Sequence, residues 1–188
     1  MVPVVRFFDF VLSLLGLVLL TPAFLILTII IYFDNRSPFF IQERMGFHKK
    51  PFLLVKFRTM TVDTESKASH LVPQTSITRL GRVLRKLKLD ELPQLLNVLK
   101  GDMSLVGPRP NLLNQEELIY LRDNYGVYEV KPGITGLAQI NNVDMSTPYD
   151  LAKLDAEMIS NFSLKNYIYF IYCTLVGKGR GDAVKANQ

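Results

Sequence analysis

The chain has 188 residues, a net charge of +5 and a pI near 9.3, so it can build one domain with a sizeable core and it favours acidic partners: phosphates, anionic lipid or nucleic acid. Its single cysteine, Cys173, excludes an internal disulfide, and two histidines, His48 and His70, are too few for a histidine-built metal site. No tryptophan and no low-complexity tract are present.

Residues 10–33 carry no charge, a run that exceeds the ~20 residues needed to cross a hydrocarbon core as a helix. It is too long for a signal-peptide core and lacks a small-residue cleavage site, so it is expected to be retained. Thr21-Pro22 lies near its middle. Proline removes one backbone hydrogen bond and bends a helix, and a threonine hydroxyl can bond a nearby carbonyl. Two topologies follow: a kinked helix that spans the bilayer, or a sharper bend that returns the chain to the face it entered. Hydropathy alone favours the first.

Phe39 to Met45 and Phe52 to Met60 read as the arms of a β-hairpin, separated by Gly46-Phe47-His48-Lys49-Lys50-Pro51. Alternation in the second arm puts Lys56 and Arg58 on one face, either a solvated surface or a phosphate-facing basic pair. Residues 61–78 form a polar loop. A basic amphipathic helix follows over 79–88, with Leu80, Val83, Leu84 and Leu87 as its apolar stripe and Arg79, Arg82, Arg85, Lys86 and Lys88 as its charge.

That helix runs into Asp90-Glu91. Leu92, Leu95, Leu96 and Leu99 then recur at helical spacing, and Gly101 is a natural C-terminal cap. A helix starting between Asp90 and Pro93 places the acids at the positive end of its dipole, where acids are ordinarily caps. Here a basic segment precedes them and Gly107-Pro108-Arg109-Pro110 follows. Flanking prolines fix the backbone about Arg109, which suits bidentate contact with a phosphate. Helices are expected over 111–125, stopped by Gly126, over 148–161, capped by Ser146 or Thr147, and over 164–176. Tyr167, Tyr169, Phe170 and Tyr172 make the last suited to a core or to a membrane interface, and the interface is favoured by the basic tail of Lys178, Arg180 and Lys185.

Taken together, these stretches make the chain resemble the bacterial small sugar-transferase family, the monotopic polyprenyl-phosphate phosphoglycosyl transferases. The resemblance covers nearly the whole chain. It rests on Thr21-Pro22, Lys56-Phe57-Arg58-Thr59-Met60, Leu89-Asp90-Glu91-Leu92-Pro93-Gln94-Leu95, Lys100-Gly101-Asp102-Met103-Ser104, Gly107-Pro108-Arg109-Pro110, and Lys131-Pro132-Gly133-Ile134-Thr135-Gly136-Leu137-Ala138-Gln139, in that order.

The resemblance implies a mostly helical α+β fold. Residues 1–35 would be a membrane-embedded re-entrant helix bent at Thr21-Pro22, which overrides the hydropathy estimate. Residues 36–188 would be one catalytic unit on the cytoplasmic face of the bacterial inner membrane, with a small β-hairpin and amphipathic helices on the membrane surface. The implied reaction moves a sugar-1-phosphate from a UDP-sugar to undecaprenyl phosphate, with Mg²⁺, through a covalent intermediate on Asp90. Asp90 would also hold the metal. Glu91 would take a proton or hold a metal-bound water, and Arg85 and Arg109, with Lys56 and Arg58, would bind phosphate.

The expected partners are UDP-sugar, undecaprenyl phosphate and inner-leaflet lipid, with no nucleic acid; a homodimer is compatible. One departure is Ile140-Asn141-Asn142-Val143-Asp144, where the family often carries an arginine that helps bind the nucleotide sugar. Two other classes compete: a direct glycosyltransferase acting on a lipid acceptor, and a non-enzymatic membrane scaffold.

Overall fold

A computed structural model describes residues 3–62, 64 and 73–179. His70, Arg180, Lys185 and part of the polar loop expected over 61–78 lie outside the described residues. The helices are α1 (Pro3–Asn35), α2 (Arg79–Lys86), α3 (Gln94–Lys100), α4 (Glu116–Asn124), α5 (Leu137–Ile140), α6 (Pro148–Ser160) and α7 (Leu164–Leu175). The strands are β1 (Phe39–Met45), β2 (Pro51–Phe57), β3 (Ser104–Val106) and β4 (Gly133–Thr135). The fold is α+β and mostly helical.

α1 is one uninterrupted helix with Pro22 inside it, not two halves parted by a break, and its mean hydropathy of 2.8 makes it long and apolar enough to cross a membrane. The carbonyl that Pro22 leaves without an amide partner is Val18 O, four residues earlier. Thr21 Oγ1 donates instead to Leu17 O at 2.7 Å, so the hydroxyl adds a bond beside the gap rather than closing it. Such back-bonding bends helices.

Both ends of α1 are packed on the rest of the chain. Near its start, Arg6 donates to Val98 O and Leu99 O, the last carbonyls of α3. Asp9 Oδ1 accepts from Ser104 Oγ, Leu105 N and Tyr167 Oη at 2.8–2.9 Å. Near its end, Ile31 packs with Phe57 and Leu84, and Asn35 donates to Met60 O at 2.9 Å. Ser13 and Ile31 are about five turns apart and share a face, so one stripe holds both ends. Between them residues 18–22 are exposed all round. The helix is fixed at its two ends and stands clear of the domain around Pro22.

β1 and β2 pair antiparallel, with Phe40 opposite Lys56 and Gln42 opposite Leu54. Met45 and Pro51 close the hairpin through a tight turn in which His48 and Lys49 both take positive φ. Beyond β2 the chain meets α2 at Gly81, where a Cβ would lie 2.0 Å from Thr59 O. No other residue admits that approach. β3 and β4 form a two-stranded parallel pair that carries the loop of residues 107–111 at its end.

Leu92, Leu95 and Leu99 of the leucine stripe expected of α3 are half-buried, and the helix buries a second face more deeply. Gln94, Asn97 and Val98 are buried, while Leu96 is 46 % exposed. Asn97 decides this: its Nδ2 donates to Leu53 O at 2.7 Å and its Oδ1 accepts from Val55 N at 3.1 Å, so it serves as a strand partner for the free edge of β2. Gly101 caps α3 in the left-handed conformation, as expected. The helix expected over 111–125 is shorter, because residues 111–115 form an extended loop before α4. Thr147 is the N-cap of α6 but makes no side-chain cap bond; Asp144 Oδ1 accepts from Ser146 N at 2.8 Å, closing the turn ahead of the helix. Ser163 does cap α7, accepting from Asn166 N.

Candidate functional site

The two acids come from the junction between α2 and α3. Lys88, at φ 57°, ends α2 in the left-handed conformation and turns the chain back on itself. Leu89–Glu91 follow as a single 3-10 turn, then Pro93 opens α3. The acids therefore stand just ahead of α3, which starts at the late end of the expected range, and its N-cap, Pro93, offers no side-chain cap. Asp90 is 1 % exposed and Glu91 6 %. Buried carboxylates need charge or hydrogen-bond partners, and for Glu91 the partners are cations.

Glu91 Oε1 accepts from Arg109 Nη2 at 2.7 Å, and Lys56 Nζ lies 3.8 Å from the same oxygen. Lys88, whose Nζ donates to Lys178 O at 2.5 Å, lies within electrostatic reach of the same pair. Burial pushes its ammonium below the usual lysine range, Glu91 partly restores it, and Arg109 lowers it further. Thus Lys56, Lys88, Glu91 and Arg109 form one electrostatic unit beside Asp90. Such a set of fixed cations in a partly desolvated site is suited to neutralising a diphosphate.

Arg85 and Arg58 both have partners on or beside the hairpin. Arg85 Nε donates to Thr59 Oγ1 at 2.8 Å, which the close approach at Gly81 makes reachable. Arg58 shares the hairpin face of Lys56, as the alternation predicts, but its guanidinium lies on β1: Nη2 donates to Phe39 O at 3.3 Å, and the group sits 5.5 Å from the centre of the Phe40 ring. Of the sequence-derived phosphate ligands, Lys56 and Arg109 meet at Glu91. Thr21 and Pro22 lie apart, in the exposed middle of α1.

The backbone under Arg109 is held at every residue. Five consecutive carbonyls of residues 107–111 each accept a bond from a different part of the chain: Gly107 O from Gln139 Nε2, Pro108 O from Gly133 N, Arg109 O from Arg122 Nη1, Pro110 O from Arg44 Nη1, and Asn111 O from Met45 N. The two prolines add rigidity within the loop.

Among the described residues no cluster of three or more His, Cys, Asp or Glu comes together. That does not disfavour Mg²⁺, which commonly takes one or two carboxylates and completes its shell with substrate phosphates and water. The donor set of Asp90 and Glu91 fits that pattern.

Sequence reasoning passed over Lys88 as one helix charge among several, and Asn97, Arg122 and Asp155 altogether. A signal for the last two existed. Arg122 lies one turn after Leu118, and Asp155 interrupts the stripe of Leu151, Ala152 and Met158, so each places a charge on the core face of its helix.

Comparison with known proteins bears on this arrangement. The profile described as bacterial sugar transferase matches residues 2–178. The chain is 51 % identical over 125 residues to a sugar transferase of Bacillus subtilis, EpsL, which covers 66 % of this chain and 61 % of that protein. It is 39 % identical over 184 residues to the undecaprenyl-phosphate glucose phosphotransferase of Komagataeibacter xylinus, covering 90 % of this chain and 35 % of that one. It is 33 % identical over 194 residues to the exopolysaccharide production protein ExoY of Sinorhizobium fredii, covering 90 % and 83 %. The chain thus spans less than two thirds of the length of the first two of these relatives, 61 % and 35 %. The match along almost its whole length establishes that the chain belongs to the bacterial sugar transferase family.

Proposed function

We propose that the chain is a phosphoglycosyl transferase that moves a sugar-1-phosphate from a UDP-sugar to undecaprenyl phosphate. Relatives named undecaprenyl-phosphate glucose phosphotransferase and undecaprenyl-phosphate galactose phosphotransferase support the acceptor and the class of reaction. The observation that carries the reading is the buried Asp90 beside a carboxylate, Glu91, that is itself gripped by Arg109 and Lys56.

In this reading a carboxylate oxygen of Asp90 attacks the phosphorus that bears the sugar. The bond from that phosphorus to the bridging oxygen breaks, and UMP leaves with the electron pair. An oxygen of undecaprenyl phosphate then attacks the same phosphorus, and the bond to Asp90 breaks. The product is an undecaprenyl-diphosphate sugar. Splitting the transfer over an acyl phosphate is ordinary nucleophilic catalysis. Arg85, Arg109, Lys56 and Lys88 hold the diphosphate oxygens. Glu91 fixes Arg109, and its second oxygen is the one that takes a proton or orients water. Asp90 and Glu91, with substrate phosphate oxygens, would hold Mg²⁺, whose contribution is to neutralise charge on the transferring phosphate.

The membrane placement belongs to the same proposal. One substrate is water-soluble and the other is a lipid, so the site must sit at headgroup depth on the cytoplasmic face. A re-entrant α1 achieves that. Its support is the stripe that fastens both ends to one domain while residues 18–22 stand clear. A tag on the N-terminus that labels only from the cytoplasm is expected; periplasmic labelling would establish a spanning helix.

The chemistry is tested by incubating the purified protein with a radiolabelled UDP-sugar and Mg²⁺ without lipid. One equivalent of UMP and a labelled adduct at Asp90 are expected, and Asp90→Asn should show neither. Release of UDP would overturn the reading in favour of direct glycosyl transfer.

A further inference from the structure

Arg122 is the largest fully buried side chain, at 1 % exposure, and its partner Asp155 is at 0 %. Nε and Nη2 of Arg122 both donate to Asp155 Oδ2, at 3.0 and 2.7 Å. The remaining nitrogen, Nη1, donates to the Arg109 carbonyl at 2.8 Å and to Asn111 Oδ1 at 2.9 Å. Tyr128 Oη donates to that same Asn111 oxygen at 3.1 Å. One guanidinium therefore ties α4 and α6 to two residues of the loop that carries Arg109.

Stability does not account for this arrangement. Two charges taken out of water cost more than an apolar pair of the same volume, unless every hydrogen bond is made. Here Asp155 Oδ1 has no hydrogen-bond partner, so the ion pair is incompletely satisfied. Burial accordingly pushes the Asp155 carboxyl above its usual range against the pull of Arg122. What the pair supplies instead is a rigid planar donor directed at the backbone of Arg109, from beneath the face that Glu91 grips. A lysine at 122 would keep the charge for Asp155 but lacks the fork needed to reach Asp155, the Arg109 carbonyl and Asn111 together.

We infer that Arg122 is a positioning residue for the donor diphosphate, acting through the carbonyl of Arg109 to fix where the Arg109 guanidinium stands. The inference rests on the reading of Arg109 as a phosphate ligand. Misplacing a charged binding group by a fraction of an ångström weakens substrate capture while leaving the nucleophile intact.

The test is a mutant cycle on the full chain in detergent or nanodiscs: wild type, Arg122→Lys, Arg109→Ala and the double variant, with KM for the UDP-sugar and kcat measured separately. Arg122→Lys is expected to raise KM by ~10-fold with kcat within ~3-fold of wild type. In the Arg109→Ala background the same change should alter kcat/KM by less than ~2-fold, because the group it positions is gone. An unchanged KM with only a lowered melting temperature, or losses that multiply in the double variant, would overturn the inference. If Arg122→Lys does not fold, Tyr128→Phe removes a single hydroxyl from the same Asn111 oxygen. It should raise KM by ~3-fold in wild type and not at all without Arg109, and no change would overturn the inference. If wild type turns over no UDP-sugar, the functional reading fails by itself. Calorimetric binding of UDP then decides for the clamp: weaker binding by Arg122→Lys upholds it and equal binding refutes it.

Discussion

Arg109 Nη2 and Glu91 Oε1 stand 2.7 Å apart across 18 residues of sequence, and Lys56 reaches the same oxygen from the hairpin. Glu91 is thus the point at which three segments of the site meet. Glu91→Gln keeps the shape and removes the charge. Arg109 would then lose a charge-assisted bond worth about 1.5–3 kcal/mol, and the cation cluster would lose its only counter-charge among these four groups. The expected result is a fall in kcat/KM of ~30-fold to ~100-fold, with the Asp90 adduct still detectable in a single turnover. Loss of the adduct itself would show that Glu91 takes part in the first chemical step.

Lys88 gives the site a pH signature. Its ammonium sits below the ordinary lysine value of 10.5, first because it is half-buried and then, against the pull of Glu91, because Arg109 is near. The folded chain therefore gives up this proton at a lower pH than the unfolded chain does. Within the window up to 10.5 the unfolded state binds more protons, so this group's contribution to stability becomes less unfavourable as pH rises. Activity should move the other way, because a neutral amine no longer holds phosphate. The alkaline limb of the kcat/KM profile should begin below the usual lysine range, and Lys88→Arg should shift it upward, since arginine stays charged. Coincident limbs in the two proteins would remove Lys88 from the diphosphate site.

Gly81 sets the distance between α2 and the end of the hairpin. A Cβ there would lie 2.0 Å from Thr59 O and 2.8 Å from Thr59 Cα, both backbone atoms that no rotamer can clear. Gly81→Ala would push α2 outward and part Arg85 from Thr59. Overpacking of this kind costs about 1–3 kcal/mol and sometimes more. A drop in melting temperature of ~5 °C or greater is expected, with loss of activity. Gly126→Ala is the control. No atom lies within 4 Å of a Cβ at that position, so only its positive φ of 66° opposes the change, and the loss should be smaller.

Much of this was legible in the chain itself. Alternation along the hairpin and Gly101 as a cap gave elements close to those found, because each rests on local backbone chemistry. The Asp90-Glu91 pair stood out for its neighbours in sequence. What was not legible depends on contacts between distant segments. The leucines of α3 mark one face by their spacing, yet the face set against β2 is that of Asn97, which replaces a strand partner. Leu96 is left half-exposed, which an apolar surface beside a membrane-type helix tolerates. Arg122 and Asp155 meet across 33 residues, and no spacing rule links them.

Asp9 offers the sharpest test of how α1 is held. Its Oδ1 is the shared acceptor for Ser104 Oγ, Leu105 N and Tyr167 Oη, all converging on a side chain with no exposure. Tyr167, held well above the usual phenol range by burial and by the Asp9 carboxylate, remains a donor at any pH the protein meets. Asp9→Ala would leave three donors facing a void, at about 1–3 kcal/mol for each one left unmatched. The first limb of α1 should then detach from β3 and α7 while the second limb stays fastened by Ile31 and Asn35. Asp9→Asn keeps one acceptor oxygen and should be much milder. The prediction is read with a cysteine placed at Phe8, which packs against the cluster around Val5 and Tyr167. Its labelling by a water-soluble maleimide should rise at least ~10-fold in Asp9→Ala over the Asp9→Asn control, in step with the population of the open form. Equal labelling of the two would show that packing of Val5 and its neighbours, rather than this carboxylate, keeps the limb in place.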